Sequence, residues 1–504
     1  MGWISRRAWA ALLVLVLVVM TTPSASATVP PGFDENNDVW STAVPAASCR
    51  PGDRVETGLQ GEVPVGDRDS HRSVEGYACN IDLIGQYQGP GAGWTSAAYQ
   101  NCVYIGSTFP HTDGVQVVDV SDPAHPRPTD VLREPAMING TWESLKVNET
   151  RGLLAATGVP FVFGLGYISL YDIATDCAHP RLLNEGRGSL PGVRIPMLTH
   201  EGNFSPDGNT YWASGQIWAS AVDVSDPADP AVVWSAPAGF ASHGMEFTPD
   251  GDTMFMSTAA GLNILDTSAV QGRAAPGMTM HQLLPSRGYK HWHDGLISQH
   301  SIYVTYGGRP FLFNVDEFGS GGVKLFDAAD FGDLRLRTTI KLDINLPQNL
   351  DRWAASASSS GAFGYESHYC SVDRRVDPQA LACGWTQSGI RIFDVRDPDH
   401  VREIAYFNPP AQTGKNDQLP NSQHVRFGGI VVPPASSAIS IAQAILNGQI
   451  NGDDIVRDGR IIGLDLSADW CMSPPEFHGN LLYVTCSDNG LMTLRIDPAV
   501  YPPR

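Results

Sequence analysis

Histidines and acidic residues recur in this 504-residue chain at the heads of short apolar segments. They read Trp142-Glu143, His200-Glu201, His243 with Glu246, His291-Trp292-His293-Asp294, Glu366-Ser367-His368 and Glu476-Phe477-His478. His424, in Ser422-Gln423-His424-Val425, begins a similar phrase. Imidazoles and carboxylates converging on one point can hold a divalent transition metal, since histidine suits Zn, Cu, Fe and Ni. An ion with an open position can activate water or bind a substrate carbonyl. The candidate metal ligands are therefore His200, His243, His291, His293, His368, His424 and His478. Glu143, Glu201, Glu246, Glu366 and Glu476 are the candidate ligand-binding carboxylates, and no catalytic residue is singled out. A structural role competes with this chemistry. A histidine opening a repeat can bond an aspartate of the same repeat, here His200 or His243 with Asp223 or Asp266. Repetition favours that role, because a structural device recurs in every unit and a catalytic one need not.

Positioning such residues is the task of the repeat itself. An apolar strand ending in Asp, often followed by a D-P-x-x-P turn, occurs at residues 114–126, 169–180, 220–230, 261–268, 322–331 and 389–400, with a weaker copy at 490–498. Its aspartates are Asp119, Asp172, Asp223, Asp266, Asp327 and Asp394, and Arg495 takes the place in the last copy. They read as turn caps that bond backbone N–H groups. Ser205-Pro206-Asp207-Gly208 and Thr248-Pro249-Asp250-Gly251 are hairpin turns joining two strands ahead of the Asp strand. One unit is thus strand A, turn, strand B, Gly turn, strand C ending in Asp, turn, strand D, which is a four-stranded propeller blade; periods of this length mean such arrays. Counting fronts and backs gives seven blades, starting near Trp94, Thr141, His200, His243, His291, Glu366 and Glu476. Strand A is innermost in a blade, so the phrases above would ring one channel mouth. Blade seven lacks a strand D, and residues 80–88 look like a strand D without a blade; pairing the two closes the ring.

The Val-Val-Asp-Val-Ser-Asp-Pro-x-x-Pro sentence, clearest at 117–126, 222–230 and 392–398, resembles the LVIVD repeat family of exported β-propeller proteins. The resemblance extends over residues 76–497 and degenerates in the fourth and seventh units. It implies a secreted or surface-associated propeller, and it brings no agreed reaction and no catalytic residues.

The fold expected is all-β: a seven-bladed propeller over residues 76–498, preceded by a signal peptide at 1–27 and an extended arm at 28–75. Arg6 and Arg7, the apolar run from Trp9 to Met20 and Ala25-Ser26-Ala27 carry the signal-peptide reading. A membrane anchor and twin-arginine export are its alternatives. An insertion at 412–475 holds a short helical pattern near 437–446 and, alternatively, a degenerate eighth blade around 461–466. The eight cysteines of an exported chain suggest disulfides, with Cys370–Cys383, Cys471–Cys486 and Cys79–Cys102 as the expected pairs. A net charge of −20 speaks against nucleic acid as a partner. No membrane insertion is expected after signal cleavage, and the chain reads as a monomer. Trp94, Trp142, Trp218, Trp292, Trp353 and Trp385 serve either a ligand-binding mouth or packing between blades. Motifs of α/β-hydrolases, zincins, P-loops, dinucleotide sites and EF-hand loops are missing. The sequence points first to an exported binding or interaction protein acting through its channel mouth on a small molecule or a cell-surface ligand. A metal-dependent hydrolase or oxidoreductase with a histidine cluster at that mouth is the alternative.

Overall fold

The structure, a computed structural model, describes residues 40–501 apart from 108–113, 139, 159–166, 186–198, 216, 260, 274–281, 296, 319–320, 358–363, 411–418, 420, 423–455, 458–459 and 462–467. Seven antiparallel sheets follow one another along the chain, each built on the A-B-C-D order. Their inner strands are Ser96–Tyr99, Lys146–Asn148, Glu201–Phe204, Met245–Phe247, Ile297–Tyr306, Tyr369–Val372 and Glu476–His478. Each inner strand packs beside that of the next blade, and the first returns to blade seven. The chain is an all-β, seven-bladed propeller. No helix among the described residues is long and apolar enough to cross a membrane.

Alternation along the strands places apolar side chains on both faces of each blade, so the core is distributed over the blade interfaces. Trp212, Met245, Phe247 and Met254 fill the interface between blades three and four. Phe255, Ile264, Leu312 and Phe326 fill the next one. Val103, Val118, Tyr483 and Leu491 fill the closing interface between blades one and seven. The aspartates ending strand C cap turns as expected. Ser121 N donates to Asp119 Oδ1 at 2.8 Å, Ser225 N to Asp223 at 2.9 Å and Ala329 N to Asp327 at 3.1 Å.

Strand Ile81–Tyr87 pairs with Gly490–Ile496, so the N-terminal side of the chain supplies the fourth strand of blade seven. Where other copies carry the turn aspartate, Arg495 stands directly opposite Asp82. A second strand, Tyr77–Cys79, adds to the outer edge of blade six against Arg402–Asn408. That fifth strand has no signal in the repeat count.

Two details differ from the sequence expectations. All eight cysteines pair, as Cys49–Cys79, Cys102–Cys177, Cys370–Cys383 and Cys471–Cys486. Cys79 therefore joins the arm, while Cys102 ties blade one to the C–D turn of blade two, and the expected Cys79–Cys102 bond does not form. Blade five begins at Ile297, because His291 ends strand D of blade four. The buried indole of Trp292 packs between blades four and five, which commits its two neighbours to the outer edge and the loop. In the insertion, the helical pattern at 437–446 lies outside the described residues. The strands described there, Val456–Arg457 and Arg460–Ile461, form a separate two-stranded sheet.

Candidate functional site

The residues just ahead of strand A reach the channel axis from several blades. His200 and His368 are held as one-residue extensions of their strands: His200 N donates to Ser214 O, and His368 N to Gly384 O at 3.0 Å. The loop of His243 is pinned between blades. Gly244 N donates to Gln299 O of blade five at 2.8 Å, and the Ser214 hydroxyl of blade three donates to His243 O. Glu143 is bridged to the start of blade three through Glu201 and His200. A fifth residue comes from a different place. Glu317 lies near the end of strand B of blade five, Arg309–Phe318, whose pairing with strand A slips twice around Ser298. Such irregularities re-aim side chains, and here Glu317 joins the cluster.

The ligand-type atoms of Glu143, His200, His243 and Glu317 lie within 4.8 Å of one another. His200 Nε2 is 2.7 Å from Glu143 Oε2, and His243 Nε2 is 3.2 Å from Glu317 Oε2. His368 Nε2 faces both carboxylates, at 3.4 Å from Glu143 Oε1 and 3.7 Å from Glu317 Oε1. The outer nitrogens are committed elsewhere. His368 Nδ1 meets Met472 O at 2.9 Å, and His243 Nδ1 meets Glu201 Oε2 at 2.9 Å. A carbonyl only accepts, so in a neutral His368 ring the proton sits on Nδ1 and the Nε2 lone pair turns inward. A ring nitrogen bonded to a carbonyl or carboxylate while the other faces the centre is the usual arrangement of a metal-binding histidine. The buried atoms Glu143 Oε2 and His243 Nε2 find no hydrogen bond of good geometry, although opposite charge is close to each. A divalent ion fits this donor set of imidazole nitrogen and carboxylate oxygen.

Electrostatics set the charges within the cluster. Burial works against the charged forms of His243 and His368, yet the carboxylates outweigh it. Glu317 and Glu201 lift His243 well above the ordinary histidine range, while Glu143 and Glu317 lift His368 to about 9. Burial likewise opposes the two carboxylates, but the imidazoles hold Glu143 well below its usual value and Glu317 at about 2. At neutral pH two imidazolium charges, on His243 and His368, stand opposite the carboxylates of Glu143 and Glu317.

Access is from one side. His200 keeps 29% of its side chain exposed, while Glu143, His243, Glu317 and His368 are buried. Trp142 leans on His200 with ring centroids 4.9 Å apart, and Trp94 stacks on Trp142 and His368 at 5.7 and 5.8 Å. Trp142 holds a φ of 46°, a left-handed conformation that is strained for a bulky residue and common where a site fixes a side chain.

The remaining candidates lie elsewhere. Glu201 sits behind His243 and faces Lys146 at 3.6 Å. Glu246 pairs with Arg375 at 3.0 Å. Glu366 accepts from Gly364 N within its own loop. His291 lies beside Tyr289 on the outer strand of blade four, and His293 is exposed in the following loop. Glu476 and His478 belong to strand A of blade seven itself, so the Glu-Phe-His phrase sits one strand length from the mouth. There His478 is exposed beside Tyr483, and burial together with Glu149 pushes Glu476 up to about 7. His424 lies outside the described residues. Pairing of His200 or His243 with Asp223 or Asp266 is not observed, since both aspartates cap turns with Ser225 and Ser268. Glu317 escaped the sequence reading because it follows no repeat phrase. Its one signal is an Asp-Glu pair, Asp316-Glu317, after the largely apolar run from Phe311 to Val315.

Among known proteins, the LVIVD repeat family matches residues 97–128, which span most of blade one. No curated protein matches the chain. Similar solved structures include a periplasmic gluconolactonase of Pseudomonas aeruginosa, with 14% identity, 65% of this chain and 82% of that one covered, and a TM-score of 0.42. The WD40 β-propeller domain of Doa1 is 9% identical over 84% of this chain and 98% of that one, with a TM-score of 0.44. The computationally designed Ika8 protein is 11% identical over 82% of this chain and 99% of that one, with a TM-score of 0.41. Likenesses at this level bring no activity to this chain.

Proposed function

We propose that this LVIVD-repeat propeller is an exported protein that holds one divalent transition-metal ion on its axis. It uses that ion to bind and polarise an oxygen-bearing small molecule entering at the channel mouth. The observation that carries the reading is the convergence of Glu143, His200, His243 and Glu317 within 4.8 Å, where buried carboxylate oxygens face imidazole nitrogens. His368 supplies a fifth donor. The four disulfides fit an oxidising compartment outside the cytoplasm, in keeping with a cleaved signal at 1–27.

Metal analysis of tag-free protein tests this. Wild type and a His293→Ala control are expected to carry about one transition-metal ion per chain, as one closed donor set requires. Glu317→Gln, which keeps the shape, and His243→Ala are expected to lose it while still unfolding cooperatively. A metal-free wild type with full thermal stability would refute the reading. That outcome would favour the second one, a propeller that binds a ligand or surface partner without a metal. Its support is that His200 Nε2 and Glu143 Oε2 already face each other at 2.7 Å without an ion between them.

A further inference from the structure

Behind His243, one buried carboxylate gathers contacts from three other blades. Glu201 opens the inner strand of blade three, and its backbone is bridged to Glu143 of blade two. Its Oε2 meets His243 Nδ1 of blade four at 2.9 Å, and its Oε1 faces Lys146 Nζ of blade two at 3.6 Å. The Tyr369 hydroxyl of blade six donates to the same carboxylate. The Tyr369 ring is itself held in place: His300 of blade five stacks on it at 4.3 Å, and Lys146 Nζ lies 4.7 Å from its centre. Gly244 lets the loop of His243 close on the carboxylate. A Cβ added there would come within 2.7 Å of both Glu201 oxygens.

A buried carboxylate is costly unless hydrogen bonds and opposite charge compensate it. Glu201 obtains both from blades two, four and six, which fixes its orientation. It stands outside the group of four converging donors, so ligation is not its task. Either ring nitrogen of a histidine can ligate an ion. A carboxylate only accepts, so Glu201 takes the Nδ1 proton of His243 and leaves Nε2, 3.2 Å from Glu317 Oε2, facing the cluster. Negative charge behind the ring also makes Nε2 the stronger donor to a metal.

We infer that Glu201 is a positioning residue of the proposed metal site, which orients His243 and strengthens its Nε2 as a ligand, and that Tyr369 acts through Glu201 by fixing the carboxylate. The inference rests on the metal reading above, and the test separates the two.

Wild type, Glu201→Gln, Tyr369→Phe and the double variant are titrated with Co2+ against a competing chelator and followed by visible absorption, which reports the coordination of the ion. Wild type is expected to bind about one ion per chain. Glu201→Gln is expected to bind it about 10–100-fold more weakly and with a shifted spectrum, because a neutral amide replaces the carboxylate behind the ligand. Tyr369→Phe is expected to lose less. The double variant is expected to lose no more than Glu201→Gln alone, since residues that act through one another are not additive. Wild-type affinity and spectrum in Glu201→Gln would overturn the inference and leave the metal reading intact. Losses that simply add in the double variant would overturn the part given to Tyr369. If Glu201→Gln does not fold, Tyr369→Phe decides, and cobalt binding equal to wild type would overturn the inference. Failure of wild type itself to bind cobalt overturns the metal reading and this inference with it.

Discussion

The imidazoles at the channel axis carry protons that a metal ion must displace, and this sets the pH behaviour of the site. His368 is raised from 6.5 to about 9 and Glu317 lowered from 4.5 to about 2. A raised histidine contributes stability that is complete below its unfolded value of 6.5 and is lost as pH rises through 9. A lowered carboxyl contributes stability that is complete above its unfolded value of 4.5 and is lost as pH falls through 2. The melting temperature of EDTA-treated protein is therefore expected to peak between these unfolded values and to fall steadily towards pH 9. Metal-loaded protein is expected to hold its melting temperature through pH 9, because the ion replaces the protons of His243 and His368. Scanning calorimetry of both forms from pH 4 to 10 checks this; identical curves would mean that the imidazoles do not exchange protons for metal. The sequence made His200, His243, His368 and Glu143 visible, since each opens a repeat unit. It misled at His291, His293 and His478, because a histidine beside a tryptophan or phenylalanine looks the same whether it precedes strand A or lies within or after a strand. For His291 and His293 the packing of Trp292 between blades decides the case.

Glu317 depends on the irregular hairpin of blade five rather than on the repeat. Next to it, Asp316 is fully buried, bonded to the Lys324 ammonium and to Trp292 Nε1 at 3.2 Å. Gly295 and Gly321 press against the same carboxylate, where an added Cβ would come within 2.5 and 2.1 Å of Asp316 Oδ2. Asp294 and Lys341 form a second buried pair at 2.6 Å, and Lys324 also donates to Asp294 O. This block fixes the backbone from which Glu317 projects. Removing one partner of a buried pair costs about 3–5 kcal/mol. Lys324→Met is expected to destabilise the protein by that order, measured by urea unfolding, and to lower metal occupancy as Glu317 shifts. A Lys324→Met variant of unchanged stability would remove the block from this role. None of it was legible in the sequence. Gly319-Ser320-Gly321-Gly322 reads as a plain loop, and two acidic neighbours in a strand give no sign of which one is buried as an ion pair.

At the scale of the ring, closure is a property of the N-terminal side of the chain. The expectation that residues 80–88 complete blade seven followed from two defects in the repeat count, a missing last strand and a spare first one. The arm before it could not be placed that way, since it carries no repeat. It runs along blades five and six: Val44 N donates to Lys341 O at 3.0 Å, and Gln60 Nε2 to Glu403 Oε2 at 2.9 Å. The fully buried Arg391 is neutralised by Glu403 at 3.1 Å within blade six and by Glu56 from the arm. Removing the arm therefore strips a buried guanidinium of one carboxylate and uncovers Tyr77 and Tyr406, on which Val63 of the arm packs. Removing strand Ile81–Tyr87 as well opens the ring and exposes the edge strand Gly490–Ile496, a template for pairing with another chain. Two N-terminal truncations separate these effects. A chain starting at residue 76, with Cys79→Ser to avoid a free thiol, is expected to remain a closed, soluble propeller that melts at a lower temperature. A chain starting at residue 89 is expected to elute as aggregates or higher oligomers in size-exclusion chromatography. Equal stability of the first truncation and a chain that keeps the arm would show that the arm only decorates blade six. A monomeric, cooperatively melting second truncation would show that the seven inner strands hold the ring without the N-terminal strand.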